Sequence, residues 1–239
     1  MPQAPAYSVR ARAPLRITLA GDGTDVPPVA GALGGASVAA ALNVWAQVEV
    51  RLGGRTIRLR GEDPEERVSL ESPAAIAYDG HLDRPKAALN MLPVTGGVEI
   101  LTWVEAPAGT GLGRRGALDA ALLAALCECR RDPYTAAELA ELAFHLEAVE
   151  LKRFAGRQDP WLATLGGVRG FTFSGEAVEQ RPLALEPAAA VDLSAHLLLA
   201  HCHRAFGGSE PTSRRVWEAY AAGDTAVITA LAEQREVVE

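Results

Sequence analysis

The chain has 239 residues and a mass of 25.2 kDa, room for one large or two small domains with a sizeable core. Hydrophobic residues at 49% and charged residues at 22% exclude a disordered or fibrous chain. A formal net charge of -7 with only 5% aromatic residues argues against a nucleic-acid partner. Cys127, Cys129 and Cys202 have no zinc-finger spacing, and their odd number gives no closed disulfide framework, so a reducing cytoplasm fits best. Met1 to Ala13 lacks a signal-peptide core, and the most apolar run, Ala117 to Cys127, is shorter than the ~20 residues of a membrane span. The expectation is a cytoplasmic protein without a membrane partner.

In chain order, Arg16 to Ala20 reads as a short strand that empties into the breaker cluster Gly21-Asp22-Gly23-Thr24-Asp25-Val26-Pro27-Pro28. Gly35 to Leu42 suits a buried helix or strand. Val44 to Leu52 and Thr56 to Arg60 alternate about Gly53-Gly54, which predicts a β-hairpin. Gly61 to Glu71 is charged and aperiodic and reads as an exposed turn region. Val98 to Val104 is a strand pattern that runs into Pro107-Ala-Gly-Thr-Gly-Leu-Gly113, and Ala117 to Cys127 reads as a buried helix. Thr135 and Glu138 form a capping-box pattern ahead of a helix whose apolar face is Leu139, Leu142, Ala143, Leu146 and Val149. Gly166-Gly167 to Gly170 leads to a strand at Phe171 to Phe173. Ala195 to Ala200 reads as a strand, and Glu210 to Glu236 as one or two helices broken at Gly223-Asp224. The expected domains are 1–178 and 179–239.

Three constellations can carry chemistry. Arg16 stands on a strand that ends in a glycine-flanked turn bearing Asp22, Thr24 and Asp25. Such carboxylates accept hydrogen bonds from sugar hydroxyls, or alternatively from their own turn backbone. The loop Gly109, Thr110, Gly111, Leu112 and Gly113 precedes a helix, and its N–H groups with the positive end of the helix dipole suit phosphate; a tight connection would use glycines too. Arg114 and Arg115 oppose that dipole unless an anion compensates. Glu147 and Asp159 divide the work phosphoryl transfer needs, one holding a divalent cation and one accepting a proton, or else serve as a solvated carboxylate and a helix cap. His201-Cys202-His203 could offer two imidazoles to a metal but is read as strand-end structure. Arg12 and Lys152-Arg153 are read as surface charges.

Taken together, Arg12-Ala-Pro-Leu-Arg-Ile-Thr-Leu-Ala-Gly-Asp-Gly-Thr-Asp25-Val-Pro-Pro, Gly34-Gly35-Ala36, Ala41-Leu42-Asn43, Pro107 to Gly113 and Gly156-Arg157-Gln158-Asp159 resemble the GHMP superfamily of small-molecule kinases. The opening is similar to the heptose-phosphate and fucose kinase branch. The resemblance implies an α+β fold in two lobes, the first like ribosomal protein S5 domain 2 and the second ferredoxin-like and shortened. It implies ATP and Mg²⁺ as cofactors and a sugar or sugar phosphate as small-molecule partner, with heptose phosphate favoured. Asp159 would be the catalytic base and Arg16 would stabilise the transferring phosphoryl. Asp22, Thr24 and Asp25 would line the sugar pocket, Gly109 to Arg115 would cradle the nucleotide, and Glu147 would hold magnesium.

The sequence departs from the family where Arg114-Arg115 replace the serines that follow Gly-Leu-Gly, and no later glycine-rich motif follows. Two further readings therefore stand beside an active kinase: a pseudokinase that binds sugar phosphate without ATP chemistry, and a scaffold whose arginine pair takes a phosphorylated substrate in place of ATP. The oligomeric state stays open, a dimer included.

Overall fold

Long strands come from the alternating segments, and the helices from the alanine-rich and capped ones. The computed structural model describes residues 7–63, 65–200 and 210–238. In chain order these form β1 (Tyr7–Ala20), α1 (Pro27–Ala32), β2 (Gly35–Leu52), β3 (Ile57–Arg60), β4 (Arg67–Leu70), α2 (Asp83–Met91), β5 (Val98–Val104), α3 (Arg114–Arg130), α4 (Ala136–His145), α5 (Gln158–Leu165), β6 (Val168–Ser174), β7 (Ala177–Pro182), α6 (Pro187–His196), α7 (Glu210–Ala221) and α8 (Thr225–Glu236). Helix at 40% and strand at 28% make this the expected α+β fold.

The chain divides into two units that interleave along the sequence, in place of a single boundary near residue 178. One holds Met1–Leu15, Leu42–Ala106 and Gly113–Leu165, and the other Arg16–Ala41, Pro107–Leu112 and Gly166–Glu239. Interleaving follows from β1 and β2, each of which gives one end to either unit.

In the first unit β5 pairs antiparallel with β2, from Ala46↔Val104 to Leu52↔Val98, and parallel with β3, which in turn pairs antiparallel with β4. The hairpin expected about Gly53-Gly54 is therefore absent: β5 lies between its two arms. The glycines serve close approach instead. Gly53 N–H donates to Gly97 O at 2.9 Å, and a Cβ on Gly97 would stand 2.7 Å from Gly53 O. The residues read as an exposed turn contain β4, whose four residues alternate between exposed and half-buried, so its edge position conceals the usual apolar alternation. Against these strands lie the fully buried α3 residues Ala117, Leu122, Leu123 and Leu126. Burial at roughly 25 cal/mol per Å² of apolar surface is the main source of stability here.

The capping box holds as expected, with Glu138 N–H donating to Thr135 Oγ1 and Thr135 N–H to the Glu138 carboxylate. The apolar face then departs from α periodicity. Residues Leu146–Glu150 form a π turn, which leaves Leu146 buried but Val149 57% exposed, and turns Glu147 inward. A π turn widens the repeat, so side chains past it rotate away from the expected face.

In the second unit, β2 residues Gly35 to Ala40 pair antiparallel with β6, and β6 with β7. Ala195 and His196 end helix α6 where a strand was expected, and 197–200 are irregular. Pro187 at the first helical turn and the alanines after it favour a helix. The break at Gly223-Asp224 is as expected: Asp224 caps α8 by accepting from Ala226 and Val227 N–H. His201-Cys202-His203 lies outside the described residues.

Candidate active site

The glycine loop is shaped by its backbone. Gly109, Gly111 and Gly113 all have positive φ, 78°, 72° and 69°, a conformation that glycine adopts without steric cost. Thr110 Oγ1 donates to Pro107 O at 3.0 Å, while Leu112 is buried as an anchor. Arg16 is fastened to this loop: its backbone N–H donates to Leu112 O at 3.0 Å, and its Nη1 donates to Gly111 O at 2.7 Å. The strand-borne cation and the loop, separate in sequence, are one structure.

The Gly21 to Asp25 turn closes on the start of β2. Thr24 Oγ1 both donates to Ala36 O and accepts from Ala36 N–H, each at 3.2 Å. A Cβ on Gly35 would stand 2.1 Å from Thr24 O, so the approach requires glycine there. Thr24 and Asp25 are buried, whereas Asp22 is exposed. Thr24 thus has a holding role in the turn, and Asp22 is the accessible carboxylate.

In the other unit, Gly113 caps α3 without a side-chain partner, and Arg114 and Arg115 occupy its first turn. Each finds a carboxylate: Arg114 Nη2 lies 2.5 Å from Glu62, and Arg115 Nη1 lies 3.3 Å from Glu147 Oε1. The opposition to the helix dipole, roughly 0.3–1 kcal/mol per charge, is thereby compensated from within the protein. At the next residue of the same turn, Gly116 lies against Asp159 at the start of α5, where a Cβ would come within 2.7 Å of the Asp159 Cβ. The half-buried Asp159 is thus held beside the first turn of the helix that follows the loop. Arg157, two residues earlier, is buried over the Phe144 ring and pairs with Glu141 at 3.1 Å, fixing the approach to Asp159.

Arg84 of α2 is the residue that sequence reasoning missed. Its guanidinium bridges the carboxylates of Asp119 and Glu147, both of them buried. Arg84, Arg115, Asp119 and Glu147 therefore make a four-member ion cluster with no formal net charge. Burial is the largest influence on Asp119 and raises its carboxyl to about 7; Arg84 opposes the shift and Glu147 adds to it. Asp119 Oδ1 is also buried without a hydrogen-bond partner among the described residues. Burial opposes the charge on Arg84, and the two carboxylates outweigh it and favour the charged form. A signal was available in the sequence: an aspartate inside the apolar run Ala117 to Cys127 needs a buried counter-cation.

Arg84 and Arg114 also border a cavity of about 450 Å³, walled by Glu62, Asp63, Asp83 and Leu118 among others. Leu82, in the same wall, has φ of 52°, unusual for a residue with a side chain. A cavity of ~300–1,000 Å³ suits a small ligand. Part of its wall comes from the charged segment read as an exposed turn.

The cluster does not fit magnesium. Arg115 stands where the resemblance would place a serine, both Glu147 oxygens face guanidinium groups, and Asp119 is tied to Arg84. The described residues contain no group of three or more His, Cys, Asp or Glu placed to hold a metal ion. No helix among them is long and apolar enough to cross a membrane.

Residues 81–167 match the GHMP kinases N terminal domain. The chain is 28% identical over 202 residues to the D-glycero-alpha-D-manno-heptose 7-phosphate kinase of Campylobacter jejuni, covering 80% of this chain and 59% of that enzyme. Among solved structures, a D-glycero-D-manno-heptose 1-phosphate kinase from Bacteroides thetaiotaomicron superposes with a TM-score of 0.70 at 22% identity, covering 98% of this chain and 80% of that one. The Lactococcus lactis galactokinase complexed with galactose gives 0.64 at 21% identity, covering 76% and 48%. These structures share its fold. Residues 81–167 are thus similar to the N-terminal domain of GHMP kinases, and the chain as a whole is similar to sugar-phosphate kinases.

Proposed function

We propose that the protein transfers the γ-phosphoryl group of ATP to a hydroxyl of a sugar phosphate, with a heptose phosphate as the favoured acceptor. The observation that carries this reading is the contact of Gly116 with Asp159, which keeps a carboxylate beside the helix that opens from the glycine loop. Asp159 would accept the proton of the attacking hydroxyl. Arg16 would stabilise charge on the transferring group, and the N–H groups of the loop would hold the phosphates. Asp22 and Asp25 would bind sugar hydroxyls, as carboxylates accept what hydroxyls donate. The cavity beside Arg84 and Arg114 has the volume a nucleoside needs. Homology to the heptose 7-phosphate kinase supports the acceptor class.

The test is incubation with ATP and either heptose 7-phosphate or heptose 1-phosphate, followed by ³¹P NMR for a new phosphate monoester. Transfer that disappears in Asp159→Asn supports the reading. Absence of transfer, with sugar phosphate still bound, would favour a binding protein without ATP chemistry.

A further inference from the structure

We propose that in this chain the guanidinium pair Arg84 and Arg115 takes the place of the divalent cation, with Glu147 and Asp119 as its counter-ions, so that nucleotide binding is metal-independent. The inference rests on the kinase reading for its ligand, but its evidence is the ion cluster itself.

A divalent cation held by Glu147 would need at least one carboxylate oxygen free of other charge, and further oxygen ligands around it. Oε2 faces Arg84 and Oε1 faces Arg115. The next carboxylate, Asp119, is wholly buried and bound to the same Arg84. Entry of a metal would require the enclosed Arg84 and the part-exposed Arg115 to give up Glu147, or else would set like charges a few ångströms apart. Arginine can do part of what the metal does. It remains charged at every ordinary pH and presents donors in a planar fork that matches phosphate oxygens. Arg115 is placed for that work: its side chain is 39% exposed and begins the helix that follows the loop, whereas Arg84 is nearly enclosed and positions Glu147. Two positive side chains in the first turn of α3, with no acid in that turn, supply charge where the family's serines would supply only hydroxyls.

The deciding measurement is Mn²⁺ binding to the full chain, read from the electron paramagnetic resonance of the free ion, with and without ATP, in wild type and Glu147→Gln. The expected result is the same bound Mn²⁺ in both proteins. A Mn²⁺ site in wild type that Glu147→Gln removes would overturn the proposal. A second arm uses Arg84→Met with Arg115→Ser, checked for folding by circular dichroism. If folded, it should gain a Mn²⁺ site that adding Glu147→Gln abolishes; a folded variant without that gain would show that the guanidinium groups are not what excludes the metal. Should the variant not fold, the wild-type comparison decides. Calorimetry with ATP in EDTA and in Mg²⁺ should give affinities within about threefold, under ~1 kcal/mol, and a Glu147-dependent gain of tenfold or more with Mg²⁺ would count against the proposal. Failure of ATP to bind in either buffer would overturn both the kinase reading and the metal-independent nucleotide site, and the Mn²⁺ comparison would then decide only whether the guanidinium pair excludes the metal.

Discussion

A Cβ on Gly116 would lie 2.7 Å from the Cβ of Asp159 and 2.9 Å from its carbonyl carbon, so the two residues meet at a separation that only glycine permits. Gly116 is in an ordinary helical segment, and space alone makes it necessary. Gly116→Ala is expected to lower stability by ~1–3 kcal/mol, the usual cost of overpacking, and to reduce phosphoryl transfer more than substrate binding. Urea denaturation with a comparison of kcat and KM checks both.

Thr24 is bound twice to Ala36, as donor and as acceptor. Thr24→Val keeps the shape but leaves a buried N–H and C=O without this partner, which should cost about 2 kcal/mol. Thr24→Ser should retain most of the stability. Thermal melting of the two variants beside wild type gives the answer, and a loss in Thr24→Ser with none in Thr24→Val would show that the methyl group, not the hydroxyl, holds the turn.

Arg16 is expected to order the glycine loop as well as to meet phosphate, because its guanidinium donates to Gly111 O. Arg16→Gln should speed amide hydrogen exchange across residues 109–113 while changing global stability by less than ~1 kcal/mol, since the side chain is only half-buried. Unchanged exchange in the loop would confine Arg16 to a role in charge stabilisation.

The Asp119 carboxyl, raised to about 7 in the folded protein from an ordinary 3.8, gives a pH dependence of definite sign. Between those values the folded state binds the proton more tightly than the unfolded state. Asp119 therefore favours folding at acidic pH, and its contribution falls as pH rises through about 7. Asp119→Asn should flatten this part of the stability profile. Urea midpoints measured from pH 5 to pH 8 (a range spanning the ~2-unit region around neutrality) should fall with rising pH more steeply in wild type than in the variant.

Local signals in the sequence carried the elements whose formation depends on neighbouring residues. Thr135 with Glu138 capped its helix, Asp224 began another, and Val98 to Val104 formed a strand. Pairing was less legible. Nothing in Val44 to Arg60 indicates that β5, some forty residues on, separates the two arms of the apparent hairpin; that depends on which strand edge is available when the chain collapses. The strand expected at Ala195 failed because a short apolar run fits either period, and the alanines after Pro187 decide for helix. Of the candidate site, the loop and the Asp159 segment were legible as motifs. Arg84 was not, because its α2 segment carries no motif, and only the anomaly of Asp119 within an apolar helix pointed toward a partner.

The π turn at Leu146–Glu150 has a consequence for how this protein can change length over evolution. A π turn is equivalent to one residue inserted into an α-helix. Removing one of these residues would restore the α repeat and turn the chain that leaves the helix after Glu150 by ~100° about the helix axis. The carboxylate at Glu147 and the path from there to the Asp159 segment would then come out of phase with α3. Single-residue deletions should be purged from this stretch far more strongly than substitutions, a bias that a library of deletion variants scored for soluble expression would make visible.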